Sequence, residues 1–351
     1  MKAVRLHGPR DLRVEDVPPP SPPGPGEALL RVGAVGICGS DLHSYTDGRI
    51  GDTEYKSPGI LGHEFMGTIV AVGEGALDGN YLPLQIGSRV AVDPAVPNEH
   101  HELFEKGHPN LVPKAFYGLY PDDGALRESM VVNSRNCFPI SSATSDGAGT
   151  LLETLGVALH AVDLGRLKVA ETVAVIGCGP VGLLILKLAE LSGASKIFGF
   201  DLHQWRVNKA RSWGATQAWR VEPGFDPAAA IEEVTSGRGV DVVFEAAWAD
   251  DSVAVAGNMV RPGGRLVLVG IPGDDRLVLN HSTFRRKGLT IFMSRRMKHT
   301  YPRAIALAES ETLDLDDLVS HRFELERATE AFELNESYGK GVHKIVIEVD
   351  K

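Results

Sequence analysis

The feature that most constrains this chain is an apolar, mostly β-branched run, Thr172-Val173-Ala174-Val175-Ile176, that feeds directly into a glycine turn, Gly177-Cys178-Gly179-Pro180-Val181-Gly182. A strand without polar alternation is one buried on both faces, as in a parallel sheet covered by helices. The apolar-periodic stretch from Val181 to Ser192 then reads as a helix, and Lys196-Ile197-Phe198-Gly199-Phe200 as the next strand, ending at Asp201. A strand, a G-x-G-x-x-G turn, a helix and an acid about 20 residues on together form a dinucleotide-binding fingerprint, whereas the glycines alone are equally those of a structural turn. The first two glycines allow the tight turn and close approach of a pyrophosphate, the third lets helix meet strand, and the helix N-terminus offers unpaired N–H groups. Asp201 is expected to accept hydrogen bonds from both adenosine ribose hydroxyls and to repel a 2′-phosphate, which favours NAD over NADP. Gly177, Gly179, Pro180, Val181, Gly182, Asp201 and Gly270, which closes the run Arg265 to Val269, are the cofactor candidates. Arg206 either stacks on adenine or remains a solvated helix charge.

Further runs, Val240-Asp241-Val242-Val243-Phe244-Glu245 and Arg265 to Gly270, alternate with helical stretches, which indicates a doubly wound parallel sheet of Rossmann type. The first third is different in character. Lys2 to Leu6, Glu27 to Val32, Thr68 to Val72 and Arg89 to Val92 are short β-like runs separated by glycine and proline, and no helix of any length is expected there. The tail, ending in Lys344-Ile345-Val346-Ile347-Glu348-Val349, is expected to fold back onto this β-rich part. The organisation is therefore α/β in two domains, 1–152 with 291–351 and 153–290. A chain of 351 residues is long enough for two separate cores. The net charge of −10 argues against a nucleic-acid surface, and no apolar run has the length of a membrane span or the form of a signal peptide. Three cysteines, an odd and sparse number, suit a reducing cytoplasm. Thr290-Ile291-Phe292-Met293 is either an internal strand or an edge able to pair with a second subunit.

A second constellation lies upstream: Gly36-Ile37-Cys38-Gly39-Ser40-Asp41-Leu42-His43, then Gly62-His63-Glu64. Thiol, imidazole and carboxylate in glycine-flanked segments form the mixed ligand set of a catalytic zinc with an open position. Taken singly, Cys38 reads as a buried structural thiol and His63 as a hydrogen-bonded core histidine. Asp41 is placed to orient a ligand histidine. Glu153, in Leu151-Leu152-Glu153-Thr154-Leu155, is an acid in apolar surroundings that needs a partner, which a metal-bound water or alcohol would supply.

These segments, with "DGRIGD" at 47–52, "GHEFMGTIVAVG" at 62–73, "VIGCGPVGLL" and the C-terminal "GKGVHKIVIEV", resemble over nearly the whole length the zinc-dependent medium-chain dehydrogenases, in their polyol dehydrogenase branch. The resemblance implies a GroES-like β-rich catalytic domain with a Rossmann domain inserted before its last segment. It implies that Cys38, His63 and Glu64 hold the catalytic zinc, and that Glu153 lies at or beside the metal. It further implies that Ser40 takes the substrate proton and that His43 forms the outer end of a proton relay, which some members run through the nicotinamide ribose. Tyr45 and Arg296 are the candidate substrate contacts, Arg296 through an R-x-x-N-T motif in which His299 replaces the asparagine. The family's four cysteines for a structural zinc correspond to Asn98, His101, Phe104 and Val112, so a second zinc is not expected; a rearranged site using His100, His101, His108 and the neighbouring glutamates is the rival. The implied activity is NAD-dependent interconversion of a secondary alcohol of a polyol or sugar and its ketone, in a cytoplasmic homodimer or homotetramer. The basic cluster Arg295, Arg296 and Lys298 also suits a sugar acid (an aldonate). A threonine dehydrogenase, a zinc-free quinone or enoyl reductase and a non-enzymatic NAD-binding redox sensor are the remaining alternatives.

Overall fold

The computed structural model describes residues 1–350 except 52, 57, 248, 250, 273–275, 311 and 340; Asp52 of the "DGRIGD" segment and Lys340 of the C-terminal motif therefore lie outside the described residues. The chain forms two compact units, Met1–Gly156 with Lys298–Lys351, and Val157–Met297.

In the second unit, six described strands make one parallel sheet in the order Gln217–Arg220, Lys196–Asp201, Thr172–Ile176, Val240–Glu245, Val260–Leu268, Thr290–Met293. In chain order this is 3-2-1-4-5-6, the doubly wound arrangement, and its direction reverses beside Thr172–Ile176. Val173, Ala174 and Val175 are completely buried, which is why the run carries no polar residue after Thr172. The helix Pro180–Leu191 starts at proline, whose missing N–H costs nothing at a first helical position. It buries Leu183, Leu184, Ile185 and Leu186. Beneath the sheet, Phe200 stacks on Trp219 at 5.1 Å. Thr290–Met293 is the outer strand, with Met293 exposed.

At the other end of this sheet, Asp241 is 4% exposed and ionised. Arg238 and Arg261 bind its carboxylate at 2.7 and 2.6 Å, and Thr172 donates to it through both N–H and Oγ1. Burial alone would raise this carboxyl; the two guanidiniums and Thr172 outweigh it and hold it well below the usual carboxylate range.

In the first unit, strand Glu27–Gly36 is the centre of a seven-stranded sheet. It pairs with Glu64–Val72, Ser129–Asn133 and Lys344–Glu348. The tail does fold back: Val346 lies opposite Gly36 in antiparallel register. The expectation of no helix in the first third fails at Gly39–Asp47. Its residues are weak helix formers without an apolar stripe, so the pattern conceals it. Its ends hold it instead: the Cys38 N–H donates to Asp41 at 2.9 Å, and Gly48 closes it in the left-handed region (φ 66°). Among the described residues no helix is long and apolar enough to cross a membrane.

Candidate metal centre and dinucleotide site

Sheet register assembles the first cluster. Strand Glu27–Gly36 runs antiparallel to Glu64–Val72 with Gly36 opposite Glu64, so the turn after Gly36 delivers Cys38 beside the start of its partner. Gly36 is required there, because a Cβ would lie 2.4 Å from Glu64 Oε2. Ligand atoms of Cys38, His63 and Glu64 all lie within 4.8 Å of one another, and among the described residues no other such group of three occurs.

Asp41 ties the cluster together. Its Oδ2 accepts the Cys38 N–H at 2.9 Å, and its Oδ1 lies 3.3 Å from both the Gly62 N–H and His63 Nδ1. With Nδ1 facing a carboxylate, His63 turns Nε2 toward Cys38 and toward Ser40 Oγ at 3.3 Å. Burial would depress the His63 imidazole, but the charges of Asp41 and Cys38 outweigh it and raise it well above the ordinary value. Negative charge that favours a proton at this nitrogen favours a dication more strongly. A soft sulfur, an imidazole and a carboxylate in one buried corner fit zinc.

Two partners escaped the sequence reading. Lys344, 2% exposed, donates to Glu64 Oε2 at 2.5 Å and to the Ile37 carbonyl at 3.3 Å. Thr154 Oγ1 donates to Glu64 Oε1 at 2.9 Å. Burial lowers the Lys344 ammonium's hold on its proton, yet Glu64, Cys38 and Glu153 more than compensate and raise it. Glu153 is buried on helix Asp146–Gly165, near enough for Lys344 to feel its charge, but it is not one of the three converging ligands. Neither Lys344 nor Thr154 has a local signal, since they lie 280 and 90 residues from Glu64.

His43 sits on the same helix as Ser40, with Nδ1 3.1 Å from Asp47 Oδ2. Burial depresses its imidazole and Asp47 only partly offsets this, so the ring is neutral near pH 7. Tyr45 occupies the apolar core: it is 2% exposed and its ring packs on Phe332 at 5.3 Å. In the region of the missing cysteines, the Asn98 N–H donates to the Val112 carbonyl at 3.3 Å, and His101 Nδ1 accepts the Leu103 N–H. Lys298 Nζ lies 3.2 Å from His108 Nδ1. Arg296, half-buried in the second unit, has a left-handed backbone (φ 56°).

The second site is built at the reversal of the parallel sheet. Gly182 has no alternative, since a Cβ would lie 1.8 Å from the Gly177 carbonyl oxygen. Gly179 is different: a Cβ there meets only Arg206 Nη1 at 3.8 Å, so the protein itself leaves that space open. An open face at the N-cap of helix Pro180–Leu191 is the cradle a pyrophosphate needs. Asp201, 7% exposed, accepts the Cys178 and His203 N–H groups, each at 2.8 Å, with Arg206 Nη1 at 3.8 Å. Gly270 donates to the Glu245 carbonyl at 3.0 Å and lines a small cleft with Glu245 and Ser252. Burial raises the Glu245 carboxyl, which accepts from the Ala247 N–H and Ser252 Oγ at 2.9 Å each.

Known proteins match both units. The family model for "Zinc-binding dehydrogenase" matches residues 180–310, and that for "Alcohol dehydrogenase GroES-like domain" matches residues 24–142. A sorbitol dehydrogenase of Macaca fascicularis is 36% identical over 351 residues, spanning 98% of this chain and 95% of that protein. The solved alcohol dehydrogenase TADH from Thermus sp. ATN1 matches with a TM-score of 0.90 at 30% identity, over 100% of both chains. A 2R,3R-butanediol dehydrogenase from Bacillus subtilis matches with a TM-score of 0.87 at 31% identity, over 99% of each.

Proposed function

Because the chain belongs to the zinc-dependent medium-chain dehydrogenases, in their polyol dehydrogenase branch, we propose that it oxidises a secondary alcohol of a polyol or sugar to the ketone, reversibly, with one catalytic zinc per chain and NAD as hydride acceptor. The observation that carries this reading is the convergence of Cys38, His63 and Glu64, with Asp41 holding the Cys38 N–H and His63 Nδ1.

When bound, zinc supplies Lewis acidity to the substrate hydroxyl and the nicotinamide accepts the hydride. Cys38, His63 and Glu64 would hold the cation, and Asp41, facing His63 Nδ1, would keep the proton there so that Nε2 is free to ligate. Ser40 Oγ, beside His63 Nε2, takes the proton that leaves the substrate. His43, one helical turn on with Asp47 behind its ring, is the outer end of the proton's route, and buried Glu153 is the alternative exit. Gly177, Gly179, Pro180, Val181 and Gly182 receive the pyrophosphate, and Asp201 the adenosine ribose, with Arg206 alongside. Asn98, His101, Phe104 and Val112 offer no thiolate, which supports the absence of a structural zinc. The three unpaired cysteines support a cytoplasmic location, and the exposed edge Thr290–Met293 supports self-association through that strand.

Metal analysis with a substrate panel tests the proposal. One zinc per chain is expected, with turnover on sorbitol or xylitol exceeding that on threonine, butanediol or aldonates. Close to two zincs per chain would reject the single-site reading, and faster turnover on an aldonate would move the substrate to the sugar acids.

A further inference from the structure

Lys344 stands out as a buried lysine that opens a strand whose next three residues, Ile345, Val346 and Ile347, are apolar and buried. An ammonium in such a place is costly, and an apolar side chain of similar size is usually no worse for stability. Its neighbours give it a specific task. Glu64 is fastened at both oxygens, Oε2 by Lys344 and Oε1 by Thr154, and Gly36 closes against Oε2. The carboxylate can therefore present its remaining lone pairs only in a narrow range of directions.

We infer that Lys344 is a positioning residue of the metal centre: by holding one oxygen of Glu64, it limits the negative charge that a bound cation receives and keeps that cation acidic toward substrate. This rests on the reading of Cys38, His63 and Glu64 as the ligands. The formal charges agree with it. Cys38, Glu64 and the adjoining Asp41 all bring negative charge to the centre, and Lys344 is the cation paired with Glu64 against it. Without the ammonium the buried centre carries excess negative charge, which tightens its grip on the metal and weakens the metal as a Lewis acid.

The test compares the unaltered protein with Lys344→Met and Lys344→Arg. Zinc dissociation constants come from competition with a chromogenic chelator, the ligand field from visible spectra of the Co2+-loaded proteins, and kcat and KM from a polyol substrate. Lys344→Met is expected to bind zinc roughly tenfold more tightly or better, with a shifted Co2+ band and a lower kcat at nearly unchanged KM. Lys344→Arg restores all three toward the unaltered values. Unchanged or weaker zinc binding in Lys344→Met, or failure of arginine to restore it, overturns the inference. Lys344→Gln, which keeps a donor without the charge, carries the same expectations if the methionine variant does not fold. Failure of the unaltered protein to take up stoichiometric zinc rejects the ligand assignment itself, and is thereby distinguished from failure of the role of Lys344.

Discussion

Asp41 joins Cys38, Gly62 and His63 through one carboxylate, so its loss disturbs both the helix start and the ligand histidine. Asp41→Asn is expected to weaken zinc binding by about 10–100-fold, read by chelator competition, while NADH affinity stays the same. Cys38→Ser and His63→Ala should each abolish turnover with little change in NADH affinity; a fully active Cys38→Ser protein would remove the basis of the proposal. These residues were legible because the ligands lie in two short segments near in sequence, with glycines that only a crowded centre requires. Lys344 and Thr154 were not, since a lysine within a β-run reads as a solvated strand charge and a threonine within an apolar helix reads as core. Tyr45 lies in the core for a related reason. A short helix with few apolar residues must bury something, and Asp41, Ser44 and Tyr45 form its inner face.

Strands and turns carry their own predictions. Gly182→Ala forces a Cβ to 1.8 Å from a carbonyl oxygen, so it should lower the unfolding midpoint by the equivalent of about 1–3 kcal/mol or more, as overpacking does. Gly179→Ala meets nothing closer than 3.8 Å and should cost less than about 1 kcal/mol at a helix N-cap, yet weaken NADH binding in a fluorescence titration. If both variants lost stability equally and bound NADH alike, the open face at Gly179 would not be a cofactor cradle. The sheet also predicts a pH dependence. The folded-state carboxyl of Asp241 is depressed below its unfolded value of about 3.9. Its stabilisation is therefore complete above that pH and is lost as pH falls toward the folded value. Asp241→Asn should lower the urea midpoint at pH 7, by about 1–3 kcal/mol, and the gap to the unaltered protein should narrow below pH 4. The parallel strands were legible because burial on both faces leaves no alternation to misread. The helix Gly39–Asp47 was hidden, because capping rather than amphipathicity defines it.

The cluster of Cys38, His63 and Glu64 lies in one unit and the glycine turn before helix Pro180–Leu191 in the other, so the proposed metal and coenzyme sites are separable. Removing the metal with a chelator should therefore abolish turnover while leaving NADH binding intact, and returning zinc should restore activity. Persistence of full turnover in metal-free protein would defeat the catalytic reading. The sequence alone revealed the doubly wound sheet, the glycine turn and the two segments whose side chains converge, because each strand run, the turn and each glycine-flanked segment is written in a short window. Tertiary structure alone decided how Glu64 is held, since Lys344 reaches it only after the last strand pairs with Glu27–Gly36. It likewise decided that Tyr45 belongs to the core and that Asp241 is held ionised by two arginines. The physical reason is common to all three. Burial and charge compensation depend on which distant segments become neighbours, and no window along the chain contains that information.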